Sequence, residues 1–276
     1  MSFGHSAEAV GHAMRIRGFA AAAAVAVLLT PILPLSAAED GAGEAAPTAA
    51  PFQFYVPPPG QDISGIYWIK SYNAKIQPVE GGELPYKPEF MEIYQQREAA
   101  INASANLIEE DQARKLCTPD GVPRILQNPY PWEIVQTQGQ VHILYEINKV
   151  IRLIKLDVPP PSDEEMEIFP YYSGHSVGHW EGDTLVVRTG GFKNYTFLDN
   201  SGAPHSLQLR VVERYRKIND GRELEVVVDI HDPGVFTRDW QARFVYDARP
   251  DLRIMDWNCG EPHRDISLVP GVTVPN

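Results

Sequence analysis

The sequence predicts a mainly β protein: an up-and-down antiparallel β-barrel of about ten strands, with one helical segment on its N-terminal side. Three features carry this prediction. From Trp132 onward apolar residues recur at every second position, the period at which side chains alternate between the two faces of a strand. Leu224, Val226, Val228 and Ile230 form one such row, and Val141, Ile143 and Tyr145 form another, as do Trp240, Phe244 and Tyr246. The runs are short and are punctuated by tight-turn signals at Glu181-Gly182-Asp183, Asn219-Asp220-Gly221 and Arg249-Pro250-Asp251. Only one stretch has convincing helical character. A sheet of that many strands exposes two edges, and closure into a barrel is the usual way to remove them.

Taken in order, Asp62 to Lys70 reads as a first strand with Ile66 and Trp68 on one face. Pro88 to Lys115 is the helix: Pro lies near its start, and Phe90, Ile93, Tyr94, Ile101 and Leu107 give an apolar stripe, weakened in the middle by Asn102 and Ser104. Strands follow at 132–137, 141–147 and 150–156, then the hairpin 174–180 with 184–190, then 209–218 with 223–230, and finally 240–246 with 253–259. The central hairpin, GHSVGHWEGDTLVVRTG, has two geometries. A two-residue turn at Gly182-Asp183 puts His175 on a face with Val186 and Arg188, while Trp180, Leu185 and Val187 take the other. A three-residue turn aligns His175 with Leu185, Val187 and Thr189 instead.

The N-terminus reads as an address. Arg15 and Arg17 precede an apolar run from Phe19 to Leu35 and a small-residue site at Ser36-Ala37-Ala38, so residues 1–38 have the plan of a secretory signal peptide. Met14 would give a tidier start than Met1. A membrane anchor is the alternative, against which stand Pro31, Pro34 and the short run. The Ala- and Pro-rich segment 39–60 reads as a disordered linker. Residues 61–268 are then a single barrel domain carrying the helix 88–115, and 269–276 a tail. A periplasmic or secreted location follows, with no membrane span after cleavage. The chain carries a formal charge of −12, and removing Arg15, Arg17 and Glu8 leaves about −13, which argues against nucleic acid as a partner. The two cysteines, Cys117 and Cys259, fit no zinc spacing and are expected to form one structural disulfide, worth about 4 to 5 kcal/mol on the chain-entropy account.

Two motifs carry a family resemblance. Gly65-Ile-Tyr-Trp68 on the first strand is similar to the G-x-W opening of lipocalin-like proteins, and WEGDTLVV and DGRELEVVV resemble the turn-strand rhythm of calycin barrels. More closely, GHSVGHWEGDTLVV, the later APHS and VVERYRKI resemble a broad group of secreted bacterial proteins with no assigned reaction; this chain carries His179 where that group carries Arg. The resemblance spans residues 62–265. It implies a lipocalin-like fold and an exported protein, and it implies no chemistry.

Strand direction locates the chemistry. If the Gly182 turn marks the lower rim, the loops 157–173, 191–207, 231–239 and 259–265 gather at the upper one. They bring His175, His205, His231 and His263 together, with His142 at the start of a descending strand. Asp199, Asp232, Asp239 and Glu261 accompany them, and Tyr171, Tyr172, Tyr195, Phe192 and Phe197 add aromatic surface. This mouth is the expected ligand entrance. The first expectation is a binding module that holds a hydrophobic or aromatic small molecule against Tyr171, Tyr172, Tyr195, Phe197 and Trp180, under a lid formed by 157–173. The second is a lyase or isomerase in the same pocket, cofactor-free or metal-dependent, in which His175, His205 and Asp199 handle protons. A filled, ligand-free envelope protein is the third. No cofactor is expected. A divalent metal on His175, His205 and Asp199 stays open, but His175 and His179 on one strand are about 13 Å apart, too far for a shared ion. Gly174-His175-Ser176-Val177-Gly178 matches a nucleophile elbow only in letters, because a strand rather than a helix follows it.

Overall fold

Nine strands close into one barrel in simple chain order: β1 (Gly65–Ile69), β2 (Trp132–Thr137), β3 (Gln140–Tyr145), β4 (Ile151–Leu156), β5 (His175–Glu181), β6 (Thr184–Gly190), β7 (Arg210–Ile218), β8 (Glu223–His231) and β9 (Trp240–Ala248). This computed structural model describes residues 55–104, 111, 113 and 116–256, which belong to one compact unit. The expected signal peptide, most of the linker and the tail lie outside the described residues; within the linker, 55–60 carries no strand or helix. Helices α1 (Pro88–Ser104), α2 (Arg124–Gln127) and α3 (Asp163–Ile168) lie in the connections. The second part of the expected helix 88–115 falls largely outside the described residues. Among these residues no helix is long and apolar enough to cross a membrane.

The tenth expected strand, 253–259, is not seen among the described residues. Residues 252–256 have no strand structure, and 257–259 lie outside the described residues. The reason is that β9 has no edge to offer: one side pairs with β8 and the other with β1, through Tyr67 to Ala248 and Ile69 to Tyr246. Closure with an odd number of strands has a further consequence. Alternating directions cannot be continued round the ring, so one neighbouring pair must be parallel. That pair is β4 and β5, joined through only Ile154–Ser176, Lys155–Val177 and Leu156–Gly178; every other pair is antiparallel.

The parallel pair corrects two expectations about direction. β4 ends at the lower rim, so the segment 157–174 starts there and climbs to the upper rim, instead of entering at the top. A parallel connection needs a dozen or more residues, and this one includes α3. His142 lies within β3, which rises from the lower rim, opposite Val135 and Leu153. It is therefore not a mouth residue.

The barrel lumen is packed. Trp132 is its hub, with ring centroids 5.4 Å from Tyr67, 5.8 Å from Tyr145 and 4.8 Å from Tyr246. On β1 it is Tyr67 and Ile69 that are buried, so the chain turns Trp68 the other way. The lower end is closed by the segment before β1. Gln136 accepts from Ile63 N at 2.8 Å and donates to Gln61 O at 2.8 Å, and Tyr67 Oη donates to Ile63 O at 2.8 Å. The upper end is closed by 120–128, buried along its whole length, where Tyr246 Oη donates to Leu126 O at 2.6 Å. Arg124 fixes this plug through both oxygens of Asp111, at 2.9 and 2.8 Å, with Asp120 at 3.2 Å and Asn200 at 2.9 Å.

A second buried ion pair, besides that of Arg124 in the plug, sits among the strands themselves. Arg152 on β4, 2% exposed, meets Glu213 on β7 through both guanidinium ends, one bond measuring 2.8 Å. It also donates to Ser176 Oγ on β5 at 3.1 Å, Thr189 Oγ1 on β6 at 2.8 Å and Tyr215 Oη at 3.2 Å, and Tyr215 donates to Glu213 at 2.6 Å. The charge on Glu213 holds the Arg152 guanidinium far above its ordinary value against the opposing effect of burial. Removing one partner strands the other charge in the core, so Arg152→Met or Glu213→Gln is expected to destabilise by about 3 to 5 kcal/mol. The double change Arg152→Met with Glu213→Leu should recover most of that loss. Urea unfolding of the three variants checks this.

Candidate functional site

The crossover segment builds the site. Its chain leaves β4 with Asp157 N bonded to Gly178 O at 2.9 Å. Helix α3 starts at a capping box: Ser162 Oγ accepts from Glu165 N at 3.2 Å, and the Glu165 carboxylate accepts from Ser162 N at 3.0 Å. Tyr171 then runs alongside the chain after β6, with Tyr171 N to Gly191 O at 2.9 Å and Lys193 N to Tyr171 O at 3.1 Å. The docking depends on missing side chains. A Cβ on Gly190 would lie 2.6 Å from Arg210 Cδ, and one on Gly191, at φ +71°, would lie 2.9 Å from both His175 Cδ2 and Met166 Cβ. The Gly190-Gly191 pair therefore lets α3 and His175 sit directly on the rim.

Between α3 and the rim lies a cleft of about 570 Å³, lined by the apolar Met166, Phe192 and Leu207 and by the polar Arg210 and His231 among others. Arg210 on β7 and His231 on β8 are register partners. Arg210 donates to Asp163 on α3 at 2.9 Å, and His231 Nδ1 lies 2.7 Å from Asp239.

The turn length settles the orientation of His175. Glu181 pairs with Thr184, so the turn is the two-residue Gly182-Asp183, with Gly182 at φ +64°. His175 accordingly shares the outer face with Val186 and Arg188 and does not enter the lumen. Its Nε2 lies 2.7 Å from Phe169 O. A carbonyl only accepts, so the ring donates through Nε2, and among the described residues no protein group bonds Nδ1. The Tyr171 ring stacks obliquely on it at 4.5 Å.

His205 stands at the same rim but is buried. Its Nε2 lies 2.8 Å from Thr196 Oγ1 and its Nδ1 2.9 Å from Ser206 O, so both nitrogens are engaged. Burial holds the imidazole below its ordinary 6.5, outweighing the Ser206 carbonyl and Asp232. Asp199, also fully buried, accepts from Ile76 N, Tyr94 Oη, Ser201 N, Ser201 Oγ and Ala203 N at 2.9 to 3.1 Å. Those bonds fix a loop. Among the described residues no hydrogen bond joins any two of His175, His205 and Asp199. His263 and Glu261 lie outside them.

The expected aromatic set divides. Tyr171 is exposed beside His175. Tyr172 and Tyr195 meet edge to face at 5.8 Å, with Lys193 Nζ 5.0 and 5.5 Å from their centroids. Hydrogen bonds from Tyr172 first and Lys193 second hold the Tyr195 phenol below its ordinary value. Phe197 is buried between Arg97, 4.7 Å from its centroid, and Arg124 at 5.8 Å. Trp180 faces inward at the opposite end of β5, about 16 Å along the strand from His175. It cannot share a rim site with the tyrosines. Among the described residues no group of three or more His, Cys, Asp and Glu side chains is placed to hold a metal ion. Sequence reasoning did not single out Arg210, Arg152 or Glu213.

No protein-family model matches this chain, and no curated protein matches it.

The depressed value of His205 fixes a sign. The folded state binds a proton less readily than the unfolded one, so this group's contribution is present above pH 6.5 and is lost as pH falls through the lower folded value. The melting temperature should drop between pH 7 and pH 5, and the drop should be smaller in His205→Gln. Equal slopes in calorimetry would refute it.

Proposed function

We propose that this chain is an exported, lipocalin-like binding module that holds a small apolar or aromatic molecule, not in the barrel lumen but in the cleft under α3. The observation that carries this reading is the contrast between the two spaces. The lumen is filled by Trp132 and its ring neighbours and stoppered at both ends, whereas the rim cleft is open and offers the exposed Leu207, with the buried Met166 and Phe192 also lining it, beside polar groups. Its volume of about 570 Å³ is that of a site for one small ligand. The neutral dye N-phenyl-1-naphthylamine tests this by fluorescence titration. Wild type should bind it, and Leu207→Glu, which places a charge on the apolar wall, should weaken binding about tenfold with the fold unchanged by circular dichroism. Equal affinity for both proteins would end this reading. Native mass spectrometry of material purified from the exported fraction would identify the natural occupant.

A second reading, a lyase or isomerase step, is favoured by one observation. The carbonyl of Phe169 orients the His175 ring, whose Cδ2 edge lies against Gly191, and among the described residues Nδ1 has no hydrogen-bond partner. In that reading His175 is the base, and His205, with both nitrogens engaged, only positions the loop. If turnover of a captured ligand is found, His175→Gln should abolish it and His205→Gln should not.

The expected disulfide between Cys117 and Cys259 fits the same exported protein. Asn148 donates to Thr118 O at 3.3 Å, Lys149 pairs with Asp256 at 3.0 Å, and Met255 N donates to Glu146 at 2.9 Å. The described residues leading to both cysteines thus converge on the 146–149 corner, although Cys259 itself lies outside them. The intact oxidised protein should weigh about 2 Da less than its reduced form, and reduction should lower its melting temperature. Two free thiols in material isolated from the exported fraction would rule the bridge out.

A further inference from the structure

We propose that the ligand of this cleft is an organic anion, an apolar body bearing a single carboxylate- or sulfonate-like group, and that Arg210 receives the charged end. The proposal rests on the reading of the cleft as a binding site and adds the chemical class of its ligand. Arg210 and His231 are paired across β7 and β8, so their side chains leave the same face about 5 Å apart, and both line the cleft together with Met166, Phe192 and Leu207.

Arg210 is positioned by the protein before any ligand arrives. Its Nη1 donates to Leu207 O at 3.3 Å and Leu209 O at 3.0 Å, which hold the guanidinium flat against the rim. Its Nη2 donates to Asp163 Oδ1 at 2.9 Å. Those backbone oxygens carry no charge to neutralise the cation. Asp163, the first residue of α3 with an 87% exposed side chain, is the group that does so. The protein's own carboxylate therefore occupies the place where a ligand carboxylate would bind. An exposed ion pair of this kind is a weak competitor, while a planar guanidinium matches the two oxygens of a carboxylate or sulfonate.

Arg210 is the one Lys or Arg among the residues lining the cleft and shares it with the carboxylates of Asp163 and Glu167, so the cleft has a place for one anion at most. His231 Nδ1 is oriented by Asp239, and among the described residues no protein group bonds Nε2. Glu167, the remaining acid of the cleft wall, is exposed on α3. A ligand entering with its apolar end toward Phe192 brings its acid group to Arg210 and displaces Asp163. The exchange couples binding to the hold of α3 on the rim.

Two probes sharing one ring system decide the matter with the full chain: 1-anilinonaphthalene-8-sulfonate and the neutral N-phenyl-1-naphthylamine. Arg210→Met should weaken the sulfonate about tenfold while changing the neutral probe less than about twofold. Arg210→Lys should retain part of the affinity. Asp163→Asn, which removes the internal competitor, should tighten the sulfonate by about two- to fivefold and leave the neutral probe alone. If Arg210→Met fails to fold by circular dichroism, Asp163→Asn decides alone. Affinities for the two probes that move together in every variant would overturn the anion assignment and leave the cleft standing as a neutral site. Binding of neither probe by wild type would remove the cleft and this assignment with it.

Discussion

The one parallel seam of the barrel is braced by the buried guanidinium of Arg152. β4 and β5 share three residue pairs, fewer than most other neighbouring strands share. Arg152 leaves β4 just beside that seam and reaches Ser176 on β5, Thr189 on β6 and Glu213 on β7. One side chain thus spans four consecutive strands across a ladder as short as those β1 makes with β2 and β9. Burying both charges costs several kcal/mol per ion, which the two-ended contact and three hydroxyl groups offset. The pair acts most strongly on register. A one-residue slip of β4 would turn Arg152 outward and leave Glu213 as an unpaired anion in the core.

The seam also creates the site. An odd strand count demands a parallel neighbour, a parallel neighbour demands a long crossover, and the crossover lays α3 across the rim. Gly190 and Gly191 then allow the contact at van der Waals distance. The cleft with Arg210, His231 and Met166 is a by-product of closing nine strands rather than eight or ten. The lumen is stoppered below by Ile63 and Gln136 and above by 120–128, so the binding proposed above falls to an outer cleft.

Much of the barrel was legible. The rows on β3, β8 and β9 are buried where alternation placed them, and the turn at Gly182-Asp183 was readable as one of two lengths, each with a stated consequence for His175. The face of β4 was not legible. Ile151 and Leu153 are 65% and 41% exposed while Arg152 is buried, so local hydrophobicity points the wrong way there. Only the partner on β7 explains the inversion. Glu213 stood between Val211 and Tyr215 at an inward position, a visible anomaly, yet nothing local names the strand that answers it. The rim was legible for His175 and His205 because strand directions after β5 were right. It failed for His142 and for the start of the crossover because the parallel pair depends on strand number, a global property. The contacts that separate His175, His205 and Asp199 into three unconnected environments come from loops whose paths carry no period.

β1 finds its second neighbour in β9, some 180 residues later in the chain. A polypeptide emerging from its N-terminus can add β2, β3 and the hairpins that follow one after another. It cannot complete the ring until nearly all of it has emerged. Throughout that time the inner face of β1, with Tyr67, has only one flank protected. Ring closure is therefore the one pairing of this barrel that waits for β9, the last of the nine strands to be made.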